Sequence, residues 1–144
     1  MHDVEMVCQV SDELVQALDR LLPQLSAGPF PDRAALEALV RAEAVDLVIA
    51  RDALGHIVGT LTLVMYRTPL GAHAWIEDVV VDQAARRQGV GEALTRFAIR
   101  RARDCGVKAV SLTSRPAREA ANRLYQRLGF TRWETNLYRL LLKD

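Results

Sequence analysis

The residues Arg86-Arg87-Gln88-Gly89-Val90-Gly91 lie between a run that reads as a buried strand, Ile76-Glu77-Asp78-Val79-Val80-Val81, and an amphipathic helical pattern that begins at the glycines. A strand that turns through two close glycines into a helix N-terminus aims several backbone N–H groups, and the positive end of the helix dipole, at one point. That point suits an anion. Two kinds of phosphate loop are excluded on the same residues. A nucleoside-triphosphatase loop needs Gly-Lys-Ser/Thr after the turn, whereas Gly91 is followed by Glu92 and Ala93; a dinucleotide fingerprint needs a third glycine where Leu94 stands.

The spacing Arg86-x-x-Gly89-x-Gly91 instead resembles the pyrophosphate loop of the GCN5-related N-acetyltransferases, the superfamily that depends on acetyl-coenzyme A (acetyl-CoA). A second segment, Ala120-Ala121-Asn122-Arg123-Leu124-Tyr125-Gln126-Arg127-Leu128-Gly129-Phe130, is similar to the superfamily's Leu-Tyr-x-x-x-Gly-Phe signature. The resemblance implies an α/β fold of the acyl-CoA N-acyltransferase kind: a mixed, mostly antiparallel seven-stranded sheet flanked by about four helices, with residues 1–144 as a single domain.

The chain's 144 residues, half of them apolar, fit one domain with a real core. A formal net charge of +1 argues against a nucleic-acid or membrane-surface binder. Between Asp82 and Asp104, however, Arg86, Arg87, Arg96, Arg100, Arg101 and Arg103 outweigh Glu92, which suits a phosphate-rich ligand and equally a solvated helix face. Cys8 and Cys105 are too few for a disulfide scaffold and read as core or semi-buried thiols. His2, His56 and His73 lack ligand spacing, so no metal is expected. Neither a signal-peptide pattern nor a membrane-length apolar stretch is present, which places the expected location in the cytoplasm. A homodimer is compatible with the sequence, which carries no feature that specifies one.

Residues 4–10 alternate as a first strand. Ser11 and Asp32 are helix caps, with a Gly-Pro break between two helices that end near residues 25 and 43. Residues 46–52 and 56–66 read as a hairpin through a turn opened by Asp52 and closed by Gly55. Residues 74–81 form the next strand, 89–105 a helix ended by Gly106, 107–113 a strand, and the segment from Pro116 to Gly129 a last helix. Residues 131–134 and 137–142 are expected to form a final hairpin.

Acetyl transfer from a thioester to an amine requires a held donor, a stabilised oxyanion, a base for the amine and an acid for the leaving thiolate. The amides of Gln88, Gly89, Val90, Gly91 and Glu92, flanked by Arg86 and Arg87, fit the pyrophosphate. By resemblance, the backbone of Val79 and Val81 pairs with the pantetheine arm, and Tyr125 faces the coenzyme A sulfur as general acid. A tyrosine on the apolar stripe of a helix also fits a core role. Where family members often carry an asparagine seven residues before this tyrosine, the chain has Arg118. The contact is therefore lost, replaced by an arginine–phosphate contact, or moved to Asn122. Glu77 and Asp78 are adjacent carboxylates on an otherwise aliphatic strand, so their side chains point to opposite faces and one can reach the acceptor. Burial would raise such a carboxyl's pKa towards that of a base. Glu77 is favoured for its reach, with Asp78 as partner of an arginine, and the reverse assignment stays open. The expected acceptor is a small-molecule amine. A protein lysine or N-terminus is the alternative, and a non-catalytic acyl-CoA-binding module is the rival class. Residues 25–33, including Phe30, the 67–73 loop and residues 133–138 are expected to choose the acceptor.

Overall fold

Two helices start where side chains satisfy first-turn amides. The Ser11 hydroxyl accepts from the Leu14 N–H at 3.1 Å, and the Asp32 carboxylate from the Ala35 N–H at 2.8 Å. The computed structural model describes residues 2–143. It contains two compact units, Met1–Thr113 and Ser114–Asp144. In the first, β1 (Asp3–Met6) leads to α1 (Asp12–Leu21), a 3-10 turn (Leu22–Gln24), α2 (Arg33–Arg41), β2 (Val45–Arg51), β3 (Ile57–Thr68) and β4 (Gly71–Val81). A second 3-10 turn (Gln83–Ala85), α3 (Val90–Asp104) and β5 (Val110–Ser111) complete it, and the second unit holds α4 (Glu119–Arg127).

The sheet runs β1-β2-β3-β4-β5, antiparallel throughout except for the parallel β4–β5 pair. The expected hairpin forms as read: Asp52 accepts from the amides of Leu54 and His56, and Gly55 takes φ 86. The element order holds through α4, but the expected seven strands are corrected to five among the described residues, because residues 131–134 and 137–142 form none. A two-stranded hairpin is stable only when further strands or a helix cover one face. Trp133, Leu137 and Tyr138 are 82%, 73% and 87% exposed. The expected strand over 4–10 shortens to β1, and that over 107–113 to β5.

Alternation along β2 divides the core. Leu47 and Ile49 pack in one cluster with Leu14, Leu18 and Leu21 of α1 and Leu36 of α2. Val48 and Ala50, also buried, therefore face the other side. There α3 lies with Val90, Leu94, Ala98 and Ala102 buried, and Arg101 reaches Asp46 of β2 at 2.8 Å. The α3 C-terminus closes as expected: Gly106 takes φ 80, and the Val107 N–H returns to Ala102 O at 3.0 Å. Beyond it, Cys105 is exposed, as is Cys8, so neither is the buried thiol expected. The apolar spacing placed Cys105 on the helix stripe, but the chain has already left the helix there.

Candidate functional site

β4 is irregular where its carboxylates stand. Glu77 pairs with Thr62 and Val80 with Thr60, so Asp78 and Val79 together oppose Leu61, which is a β-bulge. Asp78 takes φ 51, a left-handed conformation that side chains other than glycine seldom adopt. Directly opposed residues share a sheet face. Glu77 therefore shares its face with Thr62, Thr60 and Val80, and Val80 packs in the α1–α2 cluster. Sequence reasoning placed these carboxylates in a partly buried strand, with Asp78 paired to an arginine. Both are exposed, and neither has an ion pair among the described residues. The bulge lifts the strand out of its regular pleat at this point, so aliphatic neighbours in sequence do not cover them.

β5 pairs with β4 only at Ala74 and Trp75. From Ile76 onward that edge of β4 has no strand beside it within the first unit. The Asp82 N–H donates to Val58 O of β3 at 2.8 Å. By alternation the backbone groups of Val81 turn to the unpaired edge, and Val79, two residues earlier, lies in the bulge on the same unpaired stretch.

The segment after β4 is anchored from α1. Arg20 reaches Asp82 at 3.4 Å, Asp82 accepts from the Ala84 N–H at 3.2 Å, and the Gln83 N–H donates to the Gln24 side chain at 3.0 Å. Arg87 at φ 66 and Gly89 at φ 83 then swing the chain into α3, whose N-cap Gly89 supplies no side-chain cap. Consequently the N–H groups of Gln88, Gly89, Val90 and Gly91 have no acceptor among the described residues. The neighbouring carbonyls are held: Gly89 O accepts from the Ala93 N–H at 3.0 Å and Gly91 O from the Thr95 hydroxyl at 2.7 Å. Arg86 and Arg87 are exposed beside this amide row.

One contributor was missed from sequence. A Cβ at Gly59 of β3 would lie 2.8 Å from Val90 Cγ1 and 3.1 Å from Leu94 Cδ1, so the first turns of α3 rest directly on β3 backbone. The available signal was a glycine inside a strand of Ile, Val, Thr and Leu, which marks close backbone approach.

In the second unit, Tyr125 is fixed by the end of its own helix. The Phe130 N–H bonds Tyr125 O at 3.0 Å and the Gly129 N–H bonds Gln126 O at 3.1 Å, with Gly129 at φ 102. This is a Schellman cap, whose usual apolar contact here is Phe130 edge-on to the Tyr125 ring at 5.7 Å. The Leu-Tyr-x-x-x-Gly-Phe spacing is thus a device for orienting the tyrosine. Burial pushes the phenol's pKa upward, and the Arg118 guanidinium opposes it. Asn122 donates from its side chain to Arg115 O at 3.0 Å, so that amide is engaged in the turn before α4. Arg118 occupies the N-cap and makes no side-chain cap.

Elsewhere, a cleft of about 570 Å³ between β1 and α3 is lined by His2, Asp3, Glu5, Arg51, Arg96 and Arg100 among others, and includes neither strand carboxylate nor the loop residues 86–91. Phe30 is 40% exposed. No group of three His, Cys, Asp or Glu side chains that could hold a metal exists among the described residues. Among the described residues, no helix is long and apolar enough to cross a membrane.

The acetyltransferase (GNAT) family profile matches residues 12–130. An uncharacterized N-acetyltransferase of Bacillus subtilis, YhdJ, is 36% identical over 99 residues, covering 67% of this chain and 68% of that one. The mycothiol acetyltransferase of Paenarthrobacter aurescens is 41% identical over 70 residues, 46% of this chain. The matched region spans only about a fifth of that protein's length, 22%. Among solved structures, an acetyltransferase of Trypanosoma brucei superposes with a TM-score of 0.79 at 26% identity, covering 98% of this chain and all of that one.

Proposed function

Since the chain belongs to the acetyltransferase (GNAT) family, we propose that it moves the acetyl group of acetyl-CoA onto a primary amine by direct attack within a ternary complex. Residues 1–144 act as one catalytic domain in this reading. The observation that carries it is the row of unbonded amides from Gln88 to Gly91, set after a strand whose edge at Val79 and Val81 is open. A pyrophosphate fits that row, since it offers oxygens to N–H groups that lack acceptors, with Arg86, Arg87 and the amide of Glu92 completing the positive end. Acetyl-CoA supplies the activated acyl group and a thiol leaving group.

The chain's residues divide the remaining work. Val79 and Val81 hold the pantetheine arm as an added strand, and an open β4 amide polarises the thioester oxygen. Loss of one such donor typically raises a barrier by about 3 kcal/mol. Tyr125, held protonated by burial, delivers its proton to the departing sulfur. Glu77 takes the proton of the amine, directly or through water, because its register sets it on the α1–α2 face. Asp78, the left-handed residue of the bulge, shapes the strand there. The Asn122 amide is engaged locally, and in this reading Arg118 takes the contact to a coenzyme A phosphate. The acceptor is a small-molecule amine, in keeping with the name of the mycothiol acetyltransferase that the chain partly matches.

Calorimetric titration with acetyl-CoA tests the loop. The wild type should bind, and a hundredfold excess over Kd should stabilise the fold by about 2.7 kcal/mol. Gly89→Val should abolish binding, because φ 83 is strained for a β-branched residue even though the space around Gly89 is open. Undiminished binding by that variant removes the loop from the proposal.

A further inference from the structure

We infer that His2 is a positioning residue for the amide row, an inference that rests on the pyrophosphate-loop reading above. Its Nε2 lies 2.6 Å from the carbonyl oxygen of Gln88, a partner 86 residues away in sequence. A carbonyl only accepts, so Nε2 carries the proton. The other ring nitrogen, Nδ1, is buried without a partner among the described residues, which leaves the Gln88 bond as the ring's polar anchor.

The consequence follows from peptide geometry. In a planar trans peptide, the C=O of one residue and the N–H of the next point in opposite directions. Holding Gln88 O therefore fixes the direction of the Gly89 N–H, one of the four unbonded amides. This plane makes no other hydrogen bond among the described residues. It joins an exposed residue to a glycine at φ 83, just after Arg87 at φ 66, and no side chain caps the helix start. Gly89 O and Gly91 O are secured within α3 by Ala93 and Thr95, whereas Gln88 O has only His2 among the described residues. The latch is itself anchored, because Asp3, the next residue, pairs with Arg51 at the start of β1.

His2→Phe keeps a ring of similar size and removes the donor, while His2→Gln restores an N–H at comparable reach. We expect His2→Phe to weaken acetyl-CoA binding about three- to tenfold, the usual range for one net hydrogen bond. The KM for acetyl-CoA should rise more than kcat falls, and His2→Gln should return towards the wild type. In the ligand-free protein, backbone 15N order parameters at Gly89 should drop in His2→Phe and recover in His2→Gln. Unchanged order parameters in His2→Phe, or failure of His2→Gln to restore them, overturn the latch. If those parameters respond as expected while the wild type binds no acetyl-CoA, the latch stands and the pyrophosphate reading fails.

Discussion

Tyr125 and Glu77 pose opposite proton problems. Desolvation disfavours phenolate, so Tyr125 stays protonated further into alkaline pH than a free phenol and remains a donor at neutral pH. Tyr125→Phe should lower kcat about 100-fold or more, with the Kd for acetyl-CoA within about twofold of wild type. Wild-type turnover would return the tyrosine to a packing role. An alkyl amine titrates near ~10.4 and is almost wholly protonated at neutral pH. Glu77→Gln should therefore reduce turnover at pH 7 and recover part of it as pH rises and free amine accumulates. Asp78→Asn should leave both stability and the pH–rate curve near those of the wild type, because the backbone rather than the carboxylate is the constrained part and asparagine adopts the left-handed conformation as readily as aspartate. A reversed pair of profiles would exchange the two roles. The carboxylates were legible as the unusual residues of an aliphatic strand; their exposure was not. An extra residue opposite Leu61 breaks the alternation from which burial was inferred, and it leaves no mark in the residue types.

The elements that were easiest to read announced themselves through local chemistry. Ser11, Asp32, Gly55, Gly106 and Gly129 each solve a backbone problem within a few residues, and all sit where the structure needs them. Strand ends failed because they depend on distant partners. β5 keeps only two residues in the ladder, and the expected C-terminal hairpin is absent although its residues are largely apolar and aromatic. Gly59 shows the same limit, since its importance comes from Val90 and Leu94, about thirty residues later in the chain. Gly59→Ala should cost about 1–3 kcal/mol by overpacking. The N-terminus of α3 must then lift from β3, so acetyl-CoA affinity should fall as well. Urea unfolding and calorimetry on the same variant check both effects; full stability would mean that Val90 moves aside freely.

At the scale of the molecule, the net charge of +1 conceals a basic region around α3 in which Arg101 is committed to Asp46, while Arg86 and Arg87 stand exposed at the loop. The family was legible in the sequence, because the glycine turn and the Leu-Tyr-x-x-x-Gly-Phe segment are local motifs. Acceptor choice was not, since residues 25–33, 67–73 and 133–138 lie far apart in the chain and follow no transferable code. Turnover decides between an enzyme and a binding module, and it is measured by following free coenzyme A thiol when the protein is mixed with acetyl-CoA and a panel of amines, amino sugars, polyamines and lysine peptides. Thiol release should depend on an amine, be fastest with a small-molecule amine, and be lost in Tyr125→Phe. Binding of acetyl-CoA with no amine-dependent release across the panel would rule out the transferase and identify a non-catalytic acyl-CoA-binding module.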